Sequence, residues 1–327
     1  MFGKIIGTGS YVPEKILTNN DLAQFVETTD EWVRERTGVE KRHVMQDETT
    51  ADMAVKAAEK AVAAAGISAD EIDMIIVSSV SSNLILPNTA CFVQEAIGAV
   101  NASCFDVNTA CTGFMTAYNT VQSYINTGLI ETALIIGAEG LSRIVDWSDR
   151  GTCILFGDGA GAAVIKKDET AVFDTVMHAD GSKGKALTCE NGYASRKRLF
   201  DTEQNDTETR DLTYVDMDGQ EVFRFAVKQV PMCINELLEK MAITEKDVDL
   251  FLLHQANRRI IESVAKRIGT TMDKVPMNIM KYGNTSSACI PILLDELVRE
   301  DRIKKGDRVV MSGFGAGLTW SATYMVF

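Results

Sequence analysis

A repeat within the chain restricts its fold more than any other feature. Residues 67–77 read ISADEIDMIIV and residues 243–253 read ITEKDVDLFLL, an offset of 176. Both strings carry a hydroxyl residue, an acidic turn, an apolar-Asp pair and then an apolar run. At the same offset Asn108-Thr109-Ala110-Cys111 faces Asn284-Thr285-Ser286-Ser287. At nearly that spacing ALIIGAEG (133–140) faces RVVMSGFG (308–315). Three blocks in one order imply two related halves, and a repeat has to be recognised before local signals are placed. The halves divide as 1–170 and 171–327.

Each half alternates helix and strand signals. Thr49-Thr50-Ala51-Asp52 has the pattern of a capping box, the Ala-rich run 51–65 predicts a helix, and Gly66 is its stop. Met74–Val80 is short and nearly all apolar, the mark of a strand buried on both faces. Thr112–Thr127 predicts a second helix ending at Gly128, and Ala133–Ala138 another buried strand. The polar, charged segment 181–213 predicts a long surface excursion between the halves. The fold class is therefore α/β, two halves around a common layered core.

Composition narrows the function. A chain of 327 residues with 46% hydrophobic and 24% charged residues is an ordinary globular protein. At this length roughly three-quarters of the unfolded surface can be buried, so no disulfide or metal staple is needed. The net charge of −13 argues against a nucleic-acid partner, which calls for a basic face. No apolar run approaches the roughly 18 residues of a membrane span, and MFGKIIGTGSYVPEK lacks the pattern of a signal peptide. The expected location is the cytosol. The seven cysteines, Cys91, Cys104, Cys111, Cys153, Cys189, Cys233 and Cys289, include no CxxC pair, so neither a zinc site nor a disulfide framework is expected. Most read as small buried hydrophobes.

Cys111 directly follows the string SCFDVNTA and precedes the helical run TGFMTAYNTVQSYINTG. A helix N-terminus stabilises a thiolate, so Cys111 reads as a nucleophile with a lowered pKa, or else as a small residue filling a tight junction. His254 follows the strand VDLFLL, where a side chain points into the crevice at a sheet's carboxyl edge. It reads equally as a hydrogen-bonded core histidine. Asn284 precedes a helical segment and is also a good N-cap. GDGAGAAV (157–164) and GFGAGLTW (313–320) look like nucleotide loops, but each runs into β-prone sequence instead of opening a helix. Glycine in these strings is read as permitting close approach to a ligand, or as offering N–H groups to an oxyanion. His43 and His178 receive no role. Cys, His and Asn together fit either a papain-like hydrolase or acyl transfer with a carbon-centred second step.

Six strings decide between them: DEWVRERTGVEKRH (30–43), NTACTGF (108–114), DRGTCILFGDGAGAAV (149–164), HQANRRI (254–260), YGNTSSA (282–288) and GFGAGLTW (313–320). In order and spacing they resemble β-ketoacyl-acyl carrier protein synthase III, the condensing enzymes that start bacterial fatty-acid synthesis. The resemblance runs the length of the chain. It implies the thiolase fold, with two pseudo-repeated α/β halves in a five-layered core, and a homodimer.

The resemblance makes Cys111, His254 and Asn284 the catalytic triad, with backbone N–H groups of Cys111 and Ala316 as the oxyanion hole. An acyl-CoA would load Cys111, and malonyl-acyl carrier protein would supply the carbanion. CoA enters as a thioester substrate, and neither cofactor nor metal is implied. Trp32 and Arg150 resemble the pair that sandwiches the CoA adenine, while Thr28, Arg36, Gly219, Phe223, Ala256 and Asn257 fall where the family lines the CoA tunnel. Leu86 and Phe156 are expected at the acyl pocket, Leu86 standing where Phe is common and reaching across the dimer interface. Arg224 and Arg259 match basic positions for the acidic carrier protein, or else belong to a solvated helix face. At Ala316 the family usually has glycine, which matters only if the turn demands a positive φ. The alternatives are a starter-unit condensing enzyme of a secondary pathway and an inactive acyl-CoA-binding relative. Hydroxymethylglutaryl-CoA synthases share the fold but need a Glu that the strings around 74–90 do not supply.

Overall fold

In a computed structural model, which describes residues 1–190 and 214–327, the chain builds two sheets with helices outside and between them. The first sheet holds β1 (Phe2–Tyr11), β2 (Met74–Ser78), β3 (Ser103–Val107), β4 (Thr132–Glu139) and β5 (Gly159–Asp168), in the order β1-β5-β4-β2-β3. Strands β2, β3 and β4 run parallel, while β5 is antiparallel to both of its neighbours. The second sheet holds β6 (Phe173–Ala179), β7 (Leu250–Leu253), β8 (Arg308–Gly315) and β9 (Thr319–Val326), in the order β7-β8-β9-β6. Its pairings repeat those of the first, with β7 parallel to β8 and two antiparallel pairs beyond.

Alternation along the central strands explains the layering. Met74, Ile76, Ala133 and Ile135 face a core between the sheets, whereas Ile75, Val77, Leu134 and Ile136 face helices on the outside. In the second sheet Leu252, Val309 and Met311 point inward, and Phe251, Leu253 and Val310 point outward. Each of the larger side chains contributes about 1.5–3 kcal/mol by leaving water, which is why these strands carry apolar residues on both faces.

The helices of two turns or more among the described residues are α1 (Asp30–Thr37), α2 (Thr50–Ala65), α3 (Thr89–Ile97), α4 (Gly113–Thr127), α5 (Gly219–Lys240), α6 (Arg258–Ile268) and α7 (Cys289–Arg299). α2 and α3 cover the outside of the first sheet, α5 and α6 the outside of the second, and α4 and α7 fill the middle, giving five layers. The thiolase-like α/β class expected from the sequence is what the chain forms. The Thr49–Asp52 capping box opens α2, and Gly66 and Gly128 close α2 and α4 in the left-handed conformation. Strand β2 stops at Ser78, two residues before the predicted end.

In the segment expected to be an excursion, Leu187–Cys189 pairs antiparallel with Val215–Met217. The remainder of that prediction, 191–213, lies outside the described residues. The GDGAG string is the start of β5, and the partner of its close approach is a helix instead of a ligand. A Cβ at Gly161 would lie 2.7 Å from the Ile292 backbone nitrogen. Asp158 is buried, accepting from Met45 N at 2.7 Å and from Ser142 N at 2.8 Å.

Candidate active site

Cys111, His254 and Asn284 arrive from three junctions and line one cavity of about 520 Å³. Cys111 sits in a tight 3-10 turn (Ala110–Thr112) between β3 and α4. Ala110, just before it, is held at φ 47°, and the repeat-equivalent Ser286 at φ 50°. Each left-handed non-glycine residue costs about 1–2 kcal/mol, a strain that packing on both sides has to hold in place. The asparagines of the repeat assist: Asn108 Oδ1 accepts from Ala110 N at 3.3 Å, and Asn284 Oδ1 from Ser286 N at 2.9 Å.

That second bond answers the capping question. Asn284 is not the N-cap, which is Thr285, but its amide oxygen holds the start of the turn, so the NH₂ end is left as a donor in the cavity that Asn284 lines. Its backbone is clamped to the other half, Asn284 N donating to Leu155 O at 2.8 Å and Gly157 N donating to Asn284 O at 3.1 Å. His254 follows β7, its N–H bound to Ser312 O at 2.8 Å and its ring edge-on to Phe314 at 5.6 Å. The GFGAG string serves this site. A Cβ at Gly313 would meet His254 Cβ at 2.8 Å, and one at Gly315 would meet Cys111 N at 2.7 Å.

Burial controls the charges. It lowers the His254 imidazole to about 3, so the ring is neutral. It pushes the Cys111 thiol up to about 12, with the Ser286 hydroxyl opposing and the Glu139 carboxyl reinforcing the rise. The direction is opposite to the one expected from a helix N-terminus, with loss of water the largest influence on the thiol. Glu139 is itself buried at the end of β4, and dehydration raises its pKa. It accepts from Ser81 Oγ at 2.6 Å and from Ser287 Oγ at 2.8 Å. Thus the residue that is Cys111 in the first half is Ser287 in the second, tied to a carboxyl group.

Relatives match the chain over nearly its whole length. Residues 105–181 match the family described as 3-oxoacyl-[acyl-carrier-protein (ACP)] synthase III, and residues 238–327 its C-terminal part. A β-ketoacyl-[acyl-carrier-protein] synthase III from Clostridium novyi is 45% identical over 325 residues, covering 98% of this chain and 97% of its own. The crystal structure of 3-oxoacyl-[acyl-carrier-protein] synthase III from Aquifex aeolicus superposes with a TM-score of 0.92 at 40% identity, covering 99% of this chain and 100% of that one. The chain belongs to the β-ketoacyl-acyl carrier protein synthase III family. It is an acyltransferase. The priming β-ketosynthase of the R1128 polyketide pathway is also similar, at 32% identity and a TM-score of 0.92, covering 100% of this chain and 96% of that one.

The residues matched to the family's motifs fall in three places. Arg36, Gly219, Phe223, Ala256, Asn257, Phe156, Arg224 and Arg259 line the cavity with the triad. Trp32, Arg150 and Thr28 lie outside the lining. The Arg150 guanidinium stacks on Trp32 at 4.8 Å and Arg36 approaches the same ring at 5.7 Å, so Trp32 is joined to the lining through Arg36. An adenine between Trp32 and Arg150 needs a gap of about 7 Å, two stacking distances, so Arg150 has to retract first. Thr28 Oγ1 is buried with no hydrogen-bond partner among the described residues. Ala316 follows Gly315, and the left-handed φ of this turn, 139°, belongs to Gly317. The condition under which Ala316 would be strained therefore does not arise.

The expected place of Leu86 is across an interface, at the pocket of a second copy; in its own chain it is 82% exposed and outside the cavity that holds Cys111. An apolar side chain on this loop has no core of its own chain to enter, so it can line an acyl pocket only on a second copy. Residues that the sequence did not single out complete the wall: Leu187, Met217 and Val222 beside Ile154, Leu155 and Ile260. Leu187 and Met217 oppose each other at the base of the excursion, a pairing with no local signal. Behind the wall, fully buried Arg42 donates to Ile154 O at 2.8 Å and to Asn19 Oδ1 at 2.9 Å, and burial lowers its pKa to about 10.

Proposed function

We propose that the enzyme condenses a short acyl-CoA with malonyl-acyl carrier protein, through an acyl group held on Cys111. The observation that carries the reading is a thiol, a neutral imidazole and a primary amide converging on one apolar cavity. Cys111 attacks the thioester carbonyl, its proton leaves with CoA as the free thiol, and the acyl group stays on sulfur. Malonyl-acyl carrier protein then loses CO₂, and the negative charge moves onto its thioester oxygen. His254 and Asn284 donate to that oxygen. Being uncharged, they favour the developing enolate without needing a counter-charge in the resting site. The enolate carbon attacks the acyl-Cys111 carbonyl, whose oxygen takes hydrogen bonds from the N–H groups of Cys111 and Ala316. Collapse releases the β-ketoacyl product and returns the Cys111 sulfur. CoA enters as part of a substrate, and no cofactor has a step.

Support for the partners comes from the surface. Arg36, Arg224 and Arg259 gather where the cavity opens, in a chain of net charge −13. A local basic rim of this kind suits the phosphates of CoA and an acidic carrier protein. For a homodimer, the support is β3 at the edge of its sheet together with exposed Leu84, Ile85, Leu86 and Phe92. An open edge strand beside an apolar patch is a ready pairing surface. We place the enzyme in the cytosol; among the described residues no helix is long and apolar enough to cross a membrane.

Intact-protein mass tests the reading. Mixing with a panel of acyl-CoAs should add one acyl mass, lost on Cys111→Ala, and malonyl-acyl carrier protein should discharge it as a β-ketoacyl product. The best-loading acyl-CoA identifies the primer. An adduct that persists points to another second substrate, such as that of a starter-unit enzyme. Absence of any adduct defeats the assignment.

A further inference from the structure

Cys289 is the first residue of α7, fully buried, and has no part in the reaction described above. Its Sγ lies 2.7 Å from Nδ1 of His254 and 3.4 Å from the backbone nitrogen of Gln255. The second contact favours one direction for the first. Gln255 N–H can only donate, so sulfur is its acceptor. The thiol hydrogen then needs an acceptor of its own, and among the described residues the acceptor in contact with sulfur is the Nδ1 lone pair. Burial keeps the thiol protonated and the imidazole neutral, so both partners are in the form this bond requires.

We infer that Cys289 is a positioning residue: its S–H donates to Nδ1 of His254 and so holds the ring proton on Nε2. Nε2 has no protein partner among the described residues, and it is the nitrogen left to donate to substrate in the cavity. A neutral imidazole is a donor at one nitrogen and an acceptor at the other, so without this thiol half of the donor function depends on chance. The inference rests on the proposed role of His254 in condensation.

Two measurements test it. In the ¹⁵N imidazole spectrum of the whole enzyme, which holds three histidines, the His254 ring should show an unprotonated Nδ1 and a protonated Nε2. A protonated Nδ1 overturns the inference. In half-reactions, Cys289→Ala should slow condensation on the order of 10- to 100-fold while Cys111 acylation changes by less than about threefold. Cys289→Ser, whose hydroxyl can make the same donation, should restore most of the condensation rate and the Nε2–H ring. Equal loss of both half-reactions, or an unchanged condensation rate in Cys289→Ala, overturns it. If Cys289→Ala does not fold, the wild-type spectrum decides alone. Should acyl-Cys111 form in the wild type and malonyl-acyl carrier protein yield no product, the proposed function fails, and the spectrum still reports the tautomer.

Discussion

At the residue scale the site is governed by dehydration. Burial, which raises the Cys111 thiol to about 12 and lowers the His254 imidazole to about 3, opposes a resting thiolate–imidazolium pair of the kind cysteine hydrolases use. Alkylation of Cys111 by iodoacetamide should therefore rise about tenfold per pH unit from 7 to 10, because below its pKa the thiolate fraction grows with that slope. A plateau by pH 8 means the thiolate is already formed. In the proposed mechanism Asn284 has a separate job. Asn284→Ala should lower condensation by on the order of 10²-fold and leave acylation of Cys111 nearly intact, since its amide would serve the malonyl thioester oxygen as charge develops there during loss of CO₂. Comparable loss of both half-reactions removes it from that role. The triad residues were legible in the sequence as residue types at strand–helix junctions, and the repeat pointed to two of these junctions. Their charge states were not, because burial is a property of the surrounding layers.

At the element scale, glycine sets how closely the layers approach. Gly137 in β4 faces the turn before α7, and a Cβ there would lie 2.3 Å from the Ser287 carbonyl oxygen. Backbone on both sides leaves nothing to rotate away. Gly137→Ala should cost roughly 3 kcal/mol, read as a lower urea midpoint, and should displace the turn that carries Asn284. An unchanged midpoint refutes the close contact. The strands, helix caps and stops were readable because they depend on local pattern: an apolar run, a capping box, a glycine after a helix. The partners of the glycines were not readable. GDGAG and GFGAG look alike in sequence, yet one string meets a helix and the other meets Cys111 and His254.

At the scale of the whole molecule the two halves share one middle layer, and the site lies where they meet. Cys111 comes from the first half and His254 and Asn284 from the second, so neither half holds a complete site. In the proposed dimer the exposed loop Leu84–Leu86 would extend the same dependence to a second copy. Sedimentation of the wild type should give twice the chain mass of 35.8 kDa, and Ile85→Glu should shift it toward the single chain, since a charge opposes burial of that loop. A wild type that sediments as one chain refutes the dimer. The sequence by itself determined the repeat, the alternation of strand and helix and the chemical types at the junctions, for these follow from periodicity and local backbone preference. Only the tertiary structure decided that α4 and α7 lie between the sheets, that Arg42 and Glu139 are buried, and that Leu86 stands outside its own cavity. It also decided that Cys289 reaches Nδ1 of His254. The reason is physical: burial, desolvation and contact across 35 residues or more depend on which surfaces meet, and no local pattern encodes that.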